Sequence, residues 1–154
     1  MRQKLAAFLL LLAVVSVGAM EDDYLQVGMG EDAVVSVFTQ YRSCANVALE
    51  EGPGWLAWDA QLGNRLARVE VAFLEGRAVR IVFRYVPEVG ESGGELLDAL
   101  VEDESRRQGS RPTPLGDVRF RWDSPGRRTT VELLAAGAGW EARIIREAVP
   151  AARP

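Results

Sequence analysis

Leu56-Ala57-Trp58-Asp59 and Phe120-Arg121-Trp122-Asp123 open two similar stretches of this 154-residue chain. Each tetrapeptide is followed by two apolar, arginine-bearing segments and preceded by a segment with helical periodicity. Matching positions lie 62 to 64 residues apart in the two stretches. Stacked units of this size bury a continuous face against one another. The pattern therefore predicts a tandem repeat with one shared core, and chance similarity between two units of the same class is the alternative.

Each unit is predicted to contain a helix followed by three strands. Val34, Phe38 and Tyr41 belong to the apolar stripe of a first helix over residues 31–45. Ser92 and Glu95 have the capping-box spacing that begins a second helix over residues 93–107. The predicted strands are residues 55–60, 66–73, 78–86, 117–122, 129–133 and 140–146.

The predicted fold class is α+β, with two αβββ repeats forming one antiparallel sheet and two helices packed on one face. Such a layout buries one side of a sheet with only two layers. We place the first unit at residues 20–87, the second unit at residues 88–149 and a disordered tail at residues 150–154.

The hairpin around Glu75-Gly76 has a register that can be argued from its apolar face. A three-residue loop, Leu74-Glu75-Gly76, keeps Val71 in an apolar row, whereas a two-residue loop places it opposite Arg80. The three-residue loop is therefore predicted, and it sets Glu70 opposite Arg80 as an exposed ion pair.

Strand alternation also assigns side chains to the two faces of the sheet. Trp55 and Trp58 point to opposite faces because their spacing is odd, and we expect Trp55 to leave the core. Trp122 shares a face with Phe120 and is predicted to be buried. Glu102-Asp103-Glu104 is interpreted as a solvated helix face. The arginines predicted on the sheet face away from the helices are Arg80, Arg84, Arg119 and Arg121.

The N-terminus predicts export. Arg2 and Lys4 precede an apolar run, and Val17-Gly18-Ala19 fits a small-residue cleavage site, so residues 1–19 are predicted to be a signal peptide; an uncleaved anchor is the alternative. Without Arg2 and Lys4 the formal charge changes from −4 to −6. Together with the lack of a basic cluster, this charge argues against nucleic-acid binding. Cys44 is the only cysteine, so no internal disulfide forms.

Residues 27–34, Val27-Gly28-Met29-Gly30-Glu31-Asp32-Ala33-Val34, resemble the opening of the BamE (SmpA/OmlA) proteins, in which a Gly-Met pair starts a helix. A Trp-bearing strand and a hairpin follow there, as Trp58 and residues 69–83 do here. Two such units in tandem resemble the β-lactamase-inhibitor-like fold. Gly30 stands where that family usually has Thr or Ser, and Met20 stands where its lipid-attachment Cys would be. The resemblance implies an exported, non-catalytic, partner-binding α+β protein.

The composition restricts the chemistry open to this chain. It contains no His, which excludes a His-based triad or His-ligated metal, and one Cys cannot form a thiolate zinc site. No cofactor is predicted. Asp59 and Asp123 occupy matching positions and could act as an acid and base pair on glycans. Their simpler interpretation is as turn residues.

The sequence therefore predicts a periplasmic or secreted, non-enzymatic protein with a protein partner and no membrane span after signal cleavage. The predicted contact residues are Trp55, Arg80, Arg84, Arg119 and Arg121. A small carboxylate-dependent hydrolase acting on envelope glycans and a structural envelope protein are the alternatives. The partner and the oligomeric state are not predicted.

Overall fold

The structure, a computed structural model, describes residues 24–41 and 47–150. Within them the fold is α+β, with two helices and one antiparallel sheet of eight strands ordered β1-β2-β3-β4-β8-β7-β6-β5. The helices are α1 (Glu31–Tyr41) and α2 (Gly93–Gln108). The strands are β1 (Glu50–Gly52), β2 (Trp55–Leu62), β3 (Arg65–Leu74), β4 (Arg77–Tyr85), β5 (Thr113–Pro114), β6 (Arg119–Ser124), β7 (Arg127–Ala136) and β8 (Gly139–Ala148).

The two halves of the sheet meet where β4 pairs with β8. Six residues of β4 have partners on β8, including Val82 opposite Ile145 and Phe83 opposite Ile144. Outward from this pairing, the strands are β4, β3, β2 and β1 on one side and β8, β7, β6 and β5 on the other. The last strand of each half therefore joins the two halves. We call this β4–β8 pairing the seam.

Both helices cover the same face of the sheet. Phe38 of α1 packs edge-on against Trp58 of β2, with ring centroids 5.7 Å apart, and Glu104 of α2 contacts Arg146 of β8. Trp58 lies opposite Val69, Val69 lies opposite Phe83, and Phe83 lies opposite Ile144. Ile144 is two residues before Arg146 on β8, so the two side chains point to the same face. Because side chains alternate along a strand, both helix contacts lie on one side. One buried cluster contains side chains from both helices and both halves.

The predicted hairpin register is wrong, although the predicted apolar face is correct. Leu74 pairs with Arg77, so the loop is Glu75-Gly76, and both loop residues have positive φ, as a two-residue hairpin turn requires. A bulge between Ala72 and Phe73 then shifts the register. It places Val71 opposite Ile81 and so restores the apolar face that a regular two-residue hairpin would lose.

The predicted Glu70–Arg80 pair is consequently absent. Glu70 lies opposite Val82 and accepts a hydrogen bond from Arg84 at 3.0 Å, whereas Arg80 lies opposite Ala72 and is 3.4 Å from Glu147 of β8.

Two short edge strands escaped the sequence prediction. β1 and β5 both lie outside the six strands predicted from the sequence. Both sit at the outer edges of the sheet, where two or three residues suffice and proline is tolerated. Each helix is therefore followed by four strands rather than three. The described part of the first helix is Glu31–Tyr41, and the remainder of the predicted range, residues 42–45, lies outside the described residues.

The second helix begins with the predicted capping box: the Ser92 hydroxyl accepts from the Glu95 backbone N–H, and the Glu95 carboxylate accepts from the Ser92 N–H. Its acidic run is not uniformly solvated, which corrects the prediction for Glu104. This residue is buried, and its carboxylate lies 3.3 Å from the Arg146 guanidinium. The predictions for residues 1–19, Cys44 and residues 151–154 lie outside the described residues.

Candidate interaction surface

The sheet face opposite the helices has no other described element packed on it. We call it the open face. Long charged side chains occupy most of its positions, and the small apolar residues between them are buried by those neighbours. Val82 and Ile145, paired across the seam, are each 7% exposed because the stems of adjacent arginines and glutamates cover them.

All of the predicted contact residues lie on the open face, but not all lie together. Trp55 and Arg80 line a hollow of about 330 Å³, and Arg80 also lines a second hollow of about 300 Å³ with Arg119 and Arg121. The two hollows are neighbours that share Arg80, and we call them together the cross-strand groove. Arg84, which lies four residues along β4 from Arg80, lines a different hollow together with Glu141.

The arginines of the open face are paired with carboxylates. Arg84 contacts Glu70 and Glu141, at 3.0 and 3.5 Å, and Arg80 contacts Glu147. In the second half, Arg119 donates to Glu132 and the Arg121 Nε lies 2.8 Å from Asp123. The surface is therefore a lattice of alternating charges and not a free cationic patch, a distinction that requires knowledge of the cross-strand neighbours.

Arg128 completes the second hollow and is not among the predicted contact residues. Its position on the open face was predictable, because Thr129, Val131 and Leu133 form the apolar face of β7 and Arg128 must therefore point to the other face.

Trp55 is 41% exposed and held in place by a glycine. It lies directly opposite Gly52 of β1, and a Cβ added to Gly52 would stand 2.3 Å from the indole Nε1. The ring therefore lies flat over the glycine backbone. An aromatic side chain that is exposed but already ordered loses little entropy when a partner binds, a property of interface hot spots. Trp58, three residues away, is fully buried, as the alternation predicted.

Gly52→Ala is expected to displace the Trp55 ring while leaving the fold intact. The added methyl group meets a half-exposed indole ring that has solvent on its other side to move into, so we expect a stability loss below about 1 kcal/mol. The measurement is the NMR shift of the Trp55 indole N–H together with urea unfolding. An unchanged Trp55 resonance in the variant would contradict the packing described.

Asp59 and Asp123 are not brought together. They lie on β2 and β6, which are five strand positions apart in the sheet, or about 24 Å at the usual strand spacing. A glycosidase pair needs about 5 to 10 Å. Each instead lies opposite an arginine of the next strand, Arg68 at 3.6 Å and Arg128 at 2.9 Å. The hydrogen bond from Arg128 lowers the pKa of Asp123, which opposes a role as general acid.

Within residues 24–41 and 47–150, no group of three or more His, Cys, Asp or Glu side chains is placed to hold a metal ion. No helix in that part of the chain is long and apolar enough to cross a bilayer. The chain matches no protein-family model, no curated protein sequence and no solved structure.

Proposed function

We propose that this chain is an exported, non-catalytic tandem-repeat protein that binds a partner protein through its open face. The single observation that carries the proposal is the half-exposed Trp55, fixed over Gly52 beside the cross-strand groove. A sheet with helices on one side leaves its other side available, and here that side offers an ordered aromatic next to a hollow lined by both apolar and charged side chains.

The signal-like N-terminus and the resemblance to BamE-like and β-lactamase-inhibitor-like proteins support the same proposal. Export places the protein in the periplasm or outside the cell. The matching cross-strand pairs Asp59–Arg68 and Asp123–Arg128 support the tandem origin, since each Asp follows a buried Trp in the same place on its half of the sheet.

The proposal is tested by capture from envelope extracts with the mature chain and four variants. Trp55→Ala and Arg80→Glu alter the open face. Trp140→Ala and Arg106→Glu are matched controls, because Trp140 is 50% exposed on the helix-bearing face and Arg106 lies on the surface of α2.

A partner is expected to be retained by the unaltered chain and both controls, and to bind each open-face variant at least about 30-fold more weakly, the loss typical of a hot-spot residue. Capture of the same proteins by Trp55→Ala and by the unaltered chain would refute binding at this face. Recovery of no protein at all would favour a structural role in the envelope.

A further inference from the structure

We infer that the partner presents an acidic segment. Its carboxylate enters the hollow lined by Arg80, Arg119 and Arg121, which we call the Arg-rich half of the cross-strand groove. A neighbouring apolar side chain enters the hollow lined by Trp55, which we call the Trp55 half. The inference rests on the proposed function and specifies the chemistry of the partner. It is carried by a local excess of arginine side chains over carboxylates.

The Arg-rich half holds four guanidinium groups and three carboxylates. Asp123 serves two arginines at once, with Arg121 Nε at 2.8 Å and Arg128 Nε at 2.9 Å. Glu132 is the partner of Arg119 and its side chain is only 7% exposed, so it is already committed. Glu147 is the partner of Arg80. The four arginines of this half are therefore Arg80, Arg119, Arg121 and Arg128.

The arginine that shares its carboxylate also has an unused donor. The Arg121 Nε–H is buried and has no hydrogen-bond partner among the described residues, because Asp123 is close to it but poorly aligned. A guanidinium has five N–H donors and normally satisfies them with carboxylate oxygens in a planar, bidentate arrangement. One further carboxylate would give each of the four guanidinium groups a counter-charge of its own.

The other half of the groove has an apolar part beside charged side chains. Trp55, Ala57, Ala72 and Val82 form the apolar part, Arg68 and Glu70 also line this half, and Arg80 borders both halves. Val82 on β4 and Thr130 on β7 are separated by one strand, or about 10 Å, which an extended chain spans in three residues. Because side chains of an extended chain alternate between its two sides, the expected ligand has a carboxylate four residues from an apolar side chain, so that both enter the groove.

An acidic protein segment fits this surface better than a polyanion does. Glu132, Asp123 and Glu147 stand among the arginines, and a chain with a charge at every unit would be forced against them. An isolated carboxylate next to an apolar group avoids that repulsion.

The probe is the peptide acetyl-Leu-Gly-Ser-Ser-Glu-amide, and its control is acetyl-Leu-Gly-Ser-Ser-Gln-amide. Both are titrated into the isotope-labelled mature protein and followed by amide NMR shifts. We expect the acidic peptide to shift Val82, Thr130 and Ile145, and the neutral control to bind at least about fivefold more weakly.

Two variants sharpen the test. Arg121→Gln is expected to remove the preference for the acidic peptide, while Arg106→Gln on α2 keeps it. Asp123→Asn is expected to strengthen acidic-peptide binding at least about twofold, because it removes the shared carboxylate and leaves a second guanidinium without a counter-charge. A purely structural role for Asp123 would not increase affinity for an acidic ligand.

Equal binding of the two peptides, shifts confined to the helix-bearing face, or no binding up to the solubility limit would overturn the inference. Tighter binding of heparin or polyphosphate than of the acidic peptide would also overturn it, in favour of a polyanion. These failures are distinct from failure of the proposed function, which the loss of partner capture by Trp55→Ala tests separately.

Discussion

Glu104→Gln is expected to lower the free energy of unfolding by about 3–5 kcal/mol. The Glu104 carboxylate is buried beneath α2, where it lies 3.3 Å from Arg146 and accepts a hydrogen bond from Gln108 at 2.6 Å. Arg146 is itself 5% exposed and lies 5.3 Å from the centroid of the Phe83 ring. The substitution removes the negative charge that faces the Arg146 guanidinium in this poorly solvated site. Burial also raises the pKa of the nearby Tyr85 hydroxyl, consistent with such a site.

The double variant Glu104→Leu with Arg146→Met is the control for this prediction. Replacing a buried ion pair by apolar side chains of similar volume is often neutral or stabilising, so we expect the double variant to be within about 1 kcal/mol of the parent protein or above it. Urea unfolding of the two variants gives the comparison. If the single variant loses less than about 1 kcal/mol, or the double variant loses more than the single one, the pair is not buried as described.

Trp58→Ala is expected to cost about 3–5 kcal/mol, while Trp55→Ala, on the same strand, costs less than about 1 kcal/mol. Trp58 is completely buried and its ring contacts Phe38, so its loss opens a cavity between β2 and α1. Trp55 lies on the open face over Gly52 and is 41% exposed. The contrast follows from the odd spacing of the two residues.

The milder change Trp58→Phe separates packing from hydrogen bonding. The buried Trp58 Nε1 has no hydrogen-bond partner among the described residues, whereas the Trp122 Nε1 donates to the Ser110 carbonyl at 3.1 Å. We therefore expect Trp122→Phe to be the more costly of the two replacements by about 1 kcal/mol. Urea midpoints for the four variants are the measurement, and similar losses for Trp55→Ala and Trp58→Ala would contradict the assigned faces.

Patterns within a single element could be read from the sequence. The capping box at Ser92 and the opposite orientations of Trp55 and Trp58 depend on residues close in the chain, and both are confirmed. The open-face position of Arg80 was predictable for the same reason, since it follows from alternation along one strand.

Relations between elements could not be read in the same way. The bulge at Ala72 depends on the competition between a favourable two-residue turn and a continuous apolar face, and each of the two registers that were considered satisfies only one of them. Glu104 looked like part of a solvated acidic run because its partner, Arg146, is 42 residues away. The pairing of the open-face arginines likewise depends on which strands become neighbours.

The central claim is that the two halves form one sheet through the seam, because the cross-strand groove exists only if Arg80 of β4 stands beside Glu147 of β8 and the arginines of β6 and β7. Nuclear Overhauser effects between the backbones of β4 and β8 test this pairing most directly. We predict cross-strand contacts linking residues 81–83 to residues 144–146, with amide protons at the seam that exchange as slowly as those within each half. Contacts restricted to each half, together with rapid exchange at the seam, would contradict it.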